Sequence, residues 1–356
     1  MHPTSARSAR GPAQARTGYR RHRGILALLA ALACLAGLAI AELKTLPSGP
    51  VAPRPQATSP PGTVTPRAGT AAPRQERLAA VSWPADGVSA ADISGFGVAA
   101  GPGATRPVPI ASVAKVMTAY VVLHDHPLPG GGSGPDIAVQ PSEAAAYPSQ
   151  ARDGDSLVRV VAGEMLTERQ ALEALLLPSA DNMAWILARW DAGSQAAFVA
   201  RMNATVRRLG MTGTSYTDPS GLDPSTVSTA ADQVRLGMAA MRVPALAAIA
   251  AMPTAVVPVA GVVRNYNTLL GQDGIVGLKT GSTQAAGGCV LIAAWHKAGG
   301  RKTLIVAATF GQPGTAATIL PNALQAGRNL VLALDSALDP GVRLARQGRK
   351  HPSAHG

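Results

Sequence analysis

Ser112-Val113-Ala114-Lys115 is the first spacing in this 356-residue chain that could do covalent chemistry. At i and i+3 on a helix the two side chains share a face. A serine hydroxyl is a poor nucleophile until a base takes its proton, and a desolvated lysine one turn away can be that base. Placement at a helix start also aims backbone N–H groups and the positive end of the helix dipole at a developing oxyanion. By itself the spacing is weak: Ser-x-x-Lys arises by chance about once in a chain of this length. A capping serine beside an exposed lysine leaves the same trace.

Two further groups of residues qualify. Lys279-Thr280-Gly281, followed by Ser282-Thr283, sits at the end of a strand-like stretch. There a lysine and hydroxyls can grip a carboxylate while the glycine lets a substrate backbone come close. The chain holds only six lysines beside 26 arginines, and two of the four lysines in its central part lie in these two motifs. Lysine kept in so arginine-rich a chain points to a need for an amine whose pKa can move. Between the two lies Pro178-Ser179-Ala180-Asp181-Asn182. Its serine could relay a proton to a leaving amine and an adjacent amide could hold substrate, although a polar turn with a helix cap reads the same way.

These residues need elements to hold them. The pattern predicts short strands at 80–82 and 95–100 and a helix running from Ser112 through Leu123. Further helices are expected over 167–177, 183–190 and 195–209. In the last, Phe198, Met202, Val206 and Leu209 form one apolar face before Gly210 ends it. Thr229 with Asp232 resembles a capping box opening a helix to Arg242. Stretches 275–280, 288–296 and 302–310 read as strands, the last two joined by a hairpin at Ala298-Gly299-Gly300, and 318–338 as a closing helix. The expected fold class is α/β in the α+β sense, with helices packed on a central antiparallel sheet.

The formal net charge of +12 does not belong to this body. Between Ala79 and Leu338 there are 17 Lys and Arg against 17 Asp and Glu, so the excess lies in the flanks. A neutral body with only three Phe lacks the basic stripe and stacking platform that nucleic acid demands, so no nucleic-acid partner is expected. The flanks divide as a basic tail over 1–23, an uncharged apolar run over 24–41, a Pro/Ala-rich spacer over 42–78, a catalytic domain over 79–338 and a basic tail over 339–356. Eighteen apolar residues span a thin bilayer as a helix, and the six N-terminal arginines would stay cytoplasmic, which puts the domain outside. Cleavage of the run as a secretory signal after Ala39-Ile40-Ala41 is the competing expectation, and it exports the domain too. Cys34 and Cys289 are not a plausible disulfide, and Cys289 reads as a small core residue.

Taken in order, Ser-x-x-Lys, a serine-led motif and Lys-Thr-Gly form the signature of β-lactamases and penicillin-binding proteins. From about Ala80 to Pro313 the chain resembles the serine D-alanyl-D-alanine carboxypeptidases of low molecular mass, the penicillin-binding kind. Pro109-Ile110-Ala111, Leu176-Leu177-Pro178, Asp218-Pro219-Ser220-Gly221-Leu222 and Ala286-Gly287 are similar as well. The resemblance implies that Ser112 attacks the penultimate D-alanine carbonyl, that Lys115 accepts its proton and that Ser179 passes a proton to the departing D-alanine. It further implies that Lys279 and Thr280 bind the terminal carboxylate beside Gly281, and that the N–H groups of Ser112 and Ser282 form the oxyanion hole. The implied partners are peptidoglycan stem peptides, β-lactams as inhibitors that acylate Ser112, and the membrane through the N-terminal helix. No metal or organic cofactor is implied.

One position departs from the family. Its middle motif usually has asparagine at the third place, where this chain has Asp181, with Asn182 next. An ionised Asp181 near Lys115 would favour the ammonium over the base; it could also position a lysine, or Asn182 could supply the amide, so both count as candidate substrate-binding residues. A class A β-lactamase route is disfavoured, since no glutamate follows Glu173 to serve deacylation. Neither Gly-x-Ser-x-Gly nor His-Glu-x-x-His occurs. Two alternatives stay open: a D,D-endopeptidase cutting cross-links, and a non-catalytic wall-binding module.

Overall fold

In chain order the strands are β1 (Val88–Ile93), β2 (Gly97–Ala100), β3 (Val108–Pro109), β4 (Asp136–Ala138), β5 (Met165–Thr167), β6 (Val227–Ser228), β7 (Thr254–Val257), β8 (Gly261–Arg264), β9 (Ile275–Thr283), β10 (Gly287–Ala298) and β11 (Arg301–Gln312). The helices are α1 (Lys115–Asp125), α2 (Pro141–Asp153), α3 (Glu168–Leu176), α4 (Asp181–Ala192), α5 (Gln195–Arg208), α6 (Ala230–Ala240), α7 (Pro244–Ala250) and α8 (Ile319–Leu338). This computed structural model describes Leu78 and residues 81–298 and 301–338. The expected apolar run at 24–41, the spacer before Leu78, the Gly299-Gly300 turn and the tail from Asp339 lie outside the described residues. Among the described residues, no helix is long and apolar enough to cross a membrane.

Five strands make one antiparallel sheet in the order β2-β1-β11-β10-β9. Alternation along the strands splits their side chains between two cores. Ala90, Leu291, Ala293, Val306 and Ala308 face the helices that fill the chain between β2 and β9. Ala91, Ile292, Ala294, Ile305 and Ala307 face Leu330, Val331 and Leu334 of α8. With both faces covered, the central strands carry small and branched apolar residues rather than an apolar/polar alternation. α1 runs through the helical layer and buries Val116, Met117, Ala119, Val121, Val122 and Leu123. A helix apolar nearly all round belongs at the centre of its layer, and this one carries Lys115 inside with it.

The expected α+β architecture and its three long C-terminal strands stand as read. The expected strand at 80–82 does not form: Val81 and Ser82 carry no strand, and the first strand is β1 instead. Ala90, Ala91 and Asp92 give that segment little intrinsic strand preference, and it is pairing with β11 and β2 that makes it a strand. The helix expected from Ser112 opens as a 3-10 turn over Ala111–Ala114 before α1 begins. Half of the capping box forms: Asp232 N–H donates to Thr229 Oγ1 at 3.0 Å. The Asp232 carboxylate turns away to accept from Gly213 N–H and Thr214 Oγ1. α2 was not expected; it contains Pro148 and has no buried residue, so it shows no apolar period to read. The face formed by Phe198, Met202 and Val206 is buried as expected.

Candidate active site

The 3-10 turn at the head of α1 places Ser112 and Lys115 together. Lys115 is 0% exposed, and its Nζ donates to Ser112 Oγ at 2.7 Å, to Asp181 Oδ1 at 2.6 Å and to the Ser220 carbonyl at 3.0 Å. Three oxygens thus surround this nitrogen, as many as a lysine head group can donate to. The residue just before the nucleophile, Ala111, has φ +47°, a left-handed conformation that L-residues adopt at a cost. What holds it there is packing: Gly221 lies so close that a Cβ would collide with the Ala111 carbonyl. The Asp218–Leu222 loop is in turn tied by the Asp218 carboxylate, which accepts from the N–H groups of Ser220, Gly221 and Leu222.

The second motif enters at the N-terminus of α4. Ser179 has φ +65° and is 4% exposed, and its Oγ is buried without a hydrogen-bond partner. Buried hydroxyls are almost always paired, so a strained serine left unpaired at a cleft is a group kept free for something else. Asp181 and Asn182 point to different neighbours. Asp181 reaches Lys115 with Oδ1, while its Oδ2 accepts from Ser156 N–H at 3.0 Å. Asn182 clamps Val158, accepting from its N–H at 3.3 Å and donating to its carbonyl at 2.8 Å. The acid, not the amide, therefore stands beside Lys115, and both Asn182 groups are engaged away from it.

The opposite wall is β9. Side chains on its helical face meet the 3-10 turn, and Gly281 is the contact point: a Cβ there would sit 2.8 Å from Ser112 N and 3.0 Å from Val113 N. Any larger residue would push the strand off the nucleophile. Lys279 and Thr280 are 1% and 3% exposed, and Ser282 is exposed. Lys279 Nζ has one hydrogen bond, to the Thr280 carbonyl at 2.9 Å. Burial, and after it the positive charge of nearby Lys115, holds the Lys279 amine well below the usual lysine value, with Asp181 pulling the other way. Asp155, one residue before Ser156, is raised by burial first and then by the charges of Asp181 and Asp153, against Lys115. The three motifs thus converge on one cleft although 167 positions separate Ser112 from Lys279.

Sequence reasoning missed the backbone carbonyl of Ser220 as a ligand of Lys115, and missed Ser156 as the support of Asp181. The first had a signal, because Asp218-Pro219-Ser220-Gly221 is an aspartate-led turn with glycine at the position that tolerates positive φ. The second had none. Cys289 is buried beside this wall, and burial pushes its thiol up to about 12, which leaves it an inert core residue.

Comparison with known proteins points to one family. A family model described as D-alanyl-D-alanine carboxypeptidase, peptidase S11, matches residues 98–311. A D-alanyl-D-alanine endopeptidase of Pseudomonas aeruginosa is 37% identical over 192 residues, which cover 52% of this chain and 59% of that protein. The chain thus spans less than two thirds of that relative's length. The D-alanyl-D-alanine carboxypeptidase DacB2 of Mycobacterium tuberculosis is 36% identical over 228 residues, 62% of this chain and 73% of that one. Among solved structures, the Streptomyces K15 DD-transpeptidase superposes with a TM-score of 0.60 at 23% identity, covering 71% of this chain and 98% of that one, a likeness of fold.

Proposed function

Because the chain belongs to the D-alanyl-D-alanine carboxypeptidase family, we propose that it is a serine D,D-peptidase that removes the terminal D-alanine from peptidoglycan stem peptides through an acyl-enzyme. The observation that carries this reading is the Ser112 hydroxyl held 2.7 Å from Lys115 Nζ and faced by Gly281 of the Lys-Thr-Gly wall.

Ser112 Oγ attacks the penultimate D-alanine carbonyl as its proton passes to Lys115 in the amine form. The N–H groups of Ser112 and Ser282 hold the developing oxyanion. Ser179, strained and unpaired, relays that proton: it gives its own to the departing amine and takes in its place the one held by Lys115, while Lys279 and Thr280 receive the leaving residue and Gly281 admits its backbone. Water then hydrolyses the ester. Asp181 acts on Lys115, fixing its direction through a 2.6 Å contact, and Asn182 pins the Ser156–Val158 segment that backs Asp181. Side chains and water supply every step. A β-lactam fits the same scheme as an acylating inhibitor of Ser112. The apolar run at 24–41 would anchor the domain on the outer side of the cell membrane, with the proline-rich spacer holding it off the bilayer.

Fluorescent penicillin tests the reading. Labelling of the full chain that disappears in Ser112→Ala, together with D-alanine release from pentapeptide by the unaltered chain, is the expected result. Absence of both labelling and release would leave a wall-binding module in its place.

A further inference from the structure

α8 has two unlike faces. Leu324, Leu330, Val331 and Leu334 pack on the sheet, while Asn322, Gln325 and Asn329, spaced i, i+3 and i+7, make an exposed row of amides. Two of the chain's six asparagines stand in that row. Opposite it runs the segment that leads into β1, and between the two lies a cavity of about 430 Å³ with Trp83, Asp86, Gln312 and the three amides in its lining. Gly101 sets the tryptophan: a Cβ there would fall 2.4 Å from indole Cε3 and 2.7 Å from Cδ2, so backbone lies against the ring. Gln312 Nε2 donates to the Asp86 carbonyl, Asn322 Nδ2 to the Pro313 carbonyl and Gln325 Nε2 to Asn329 Oδ1, each at 2.8 Å. Those bonds fix one end of each amide and leave the other for a ligand: the oxygens of Gln312, Asn322 and Gln325 and the nitrogen of Asn329.

The lining selects a chemistry. Cavities of about 300–1,000 Å³ hold whole small ligands. No Lys, Arg or His is among the described residues of the lining, so a carboxylate or phosphate beside Asp86 would be desolvated without a counter-charge. A neutral ligand rich in hydroxyls meets these mixed donors and acceptors well, because each hydroxyl gives one hydrogen and offers two lone pairs. An acetamido group matches the amide row in the same way. The indole supplies an apolar surface on which the C–H side of a sugar ring can rest.

The cavity lies outside the catalytic cleft but at the same end of the sheet. Gly288 of β10 pairs with Gln312 of β11 on one side and with Ser282 of β9 on the other. Two strand spacings, about 10 Å, therefore separate Gln312 from the residue after Gly281. A few extended peptide residues at about 3.3 Å each cover that distance and the turn around the sheet end. We infer that this cavity is a saccharide site, which holds an N-acetylated sugar of the glycan strand while a stem peptide carried by that strand reaches Ser112. The ligand class follows from the lining; its place in the substrate rests on the D,D-peptidase reading.

The test titrates the full chain carrying Ser112→Ala with tetra-N-acetylchitotetraose and, separately, with cellotetraose, which has the hydroxyls without the acetamido groups. The acetylated tetramer should bind saturably and about tenfold more tightly than cellotetraose. Trp83→Ala should weaken that binding about tenfold, and so should Gln325→Ala combined with Asn329→Ala, a pair on the exposed side of α8 that spares the packing of Trp83. With Ser112 restored, the paired variant should take penicillin label at its former rate. It should also raise KM for a disaccharide-linked pentapeptide several-fold, with kcat and the KM for free pentapeptide unchanged. Absence of saturable binding, a tetramer bound no better than cellotetraose, binding that survives the paired substitution, or equal KM changes for both substrates overturns the saccharide site while the acyl-enzyme stands. Variant-sensitive tetramer binding in a chain whose Ser112 takes no label overturns the acyl-enzyme reading and leaves the saccharide site in place.

Discussion

Lys115 and Lys279 stand on opposite walls of one cleft, 0% and 1% exposed, and differ in what they are given to hold. The helical wall surrounds Lys115 with a hydroxyl, a carboxylate and a carbonyl. The strand wall gives Lys279 one carbonyl of its own neighbour. Burial, and after it the positive charge of Lys115, drives the Lys279 amine below the usual lysine value, and a single carbonyl partner does little to oppose it, whereas Lys115 has a full set of acceptors. A single cleft thereby holds two buried amines with different sets of partners.

The comparison breaks most visibly at Lys115. Lys115→Met should slow acylation by labelled penicillin by about 10²–10⁴-fold, the usual contribution of a positioned base. It should also lower stability by about 3–5 kcal/mol, because Asp181 is left buried without its cation. Urea unfolding and labelling kinetics read the two effects separately. Lys279→Met should behave differently: a loss of about tenfold to a thousandfold in kcat/KM for a free-acid peptide, with an unfolding midpoint equal to or above that of the unaltered chain, since no partner charge is stranded. Equal destabilisation by both substitutions would show that the two walls do not differ as described.

Asp181→Asn sharpens the contrast from the helical side. With the carboxylate replaced by an amide of the same shape, Lys115 keeps a neighbour but loses the adjacent negative charge, and labelling by penicillin should persist or accelerate. Complete loss of labelling would mean that the carboxylate itself is required. Asn182→Ala should instead act through the Val158 clamp, lowering thermal stability by about 1–3 kcal/mol, the cost of stranding buried backbone groups.

The smallest effect concerns a buried acid among the helices, away from both lysines. Glu168 opens α3, the helix that leads to Ser179, and both of its carboxylate oxygens are buried without partners. Burial, followed by the charge of Asp191, pushes its carboxyl up to about 7. The folded chain therefore keeps a proton that the unfolded chain sheds in the usual carboxylate range. Its contribution to stability is complete at or below that range and is lost as pH rises to about 7. The urea midpoint should fall between pH 5 and pH 8, and Glu168→Gln should flatten that part of the profile.

Much of this was legible in the residues and some was not. The Ser112/Lys115 pair is a local i, i+3 relation, and it appears in the structure with the expected contact. The three long C-terminal strands show in their continuous apolar composition, and α5 in its apolar face. β1 was misplaced because its alanines suit a strand only when two other strands flank it. α2 escaped because nothing in it is buried. At the second motif the residue types were visible, but Asp181 and Asn182 are neighbours on one helix start, and which of them faces Lys115 depends on the Ser156–Val158 segment lying alongside.

By itself the sequence determined the inventory of reactive groups, their order, and the local elements that carry them, because helix and strand periodicity are set over a few residues. Only the tertiary structure decided the electrostatics: which acceptors surround Lys115 and why Lys279 has almost none. The surroundings of a buried amine are a sum over groups that packing brings together from distant parts of the chain, and no short window of residues contains that sum.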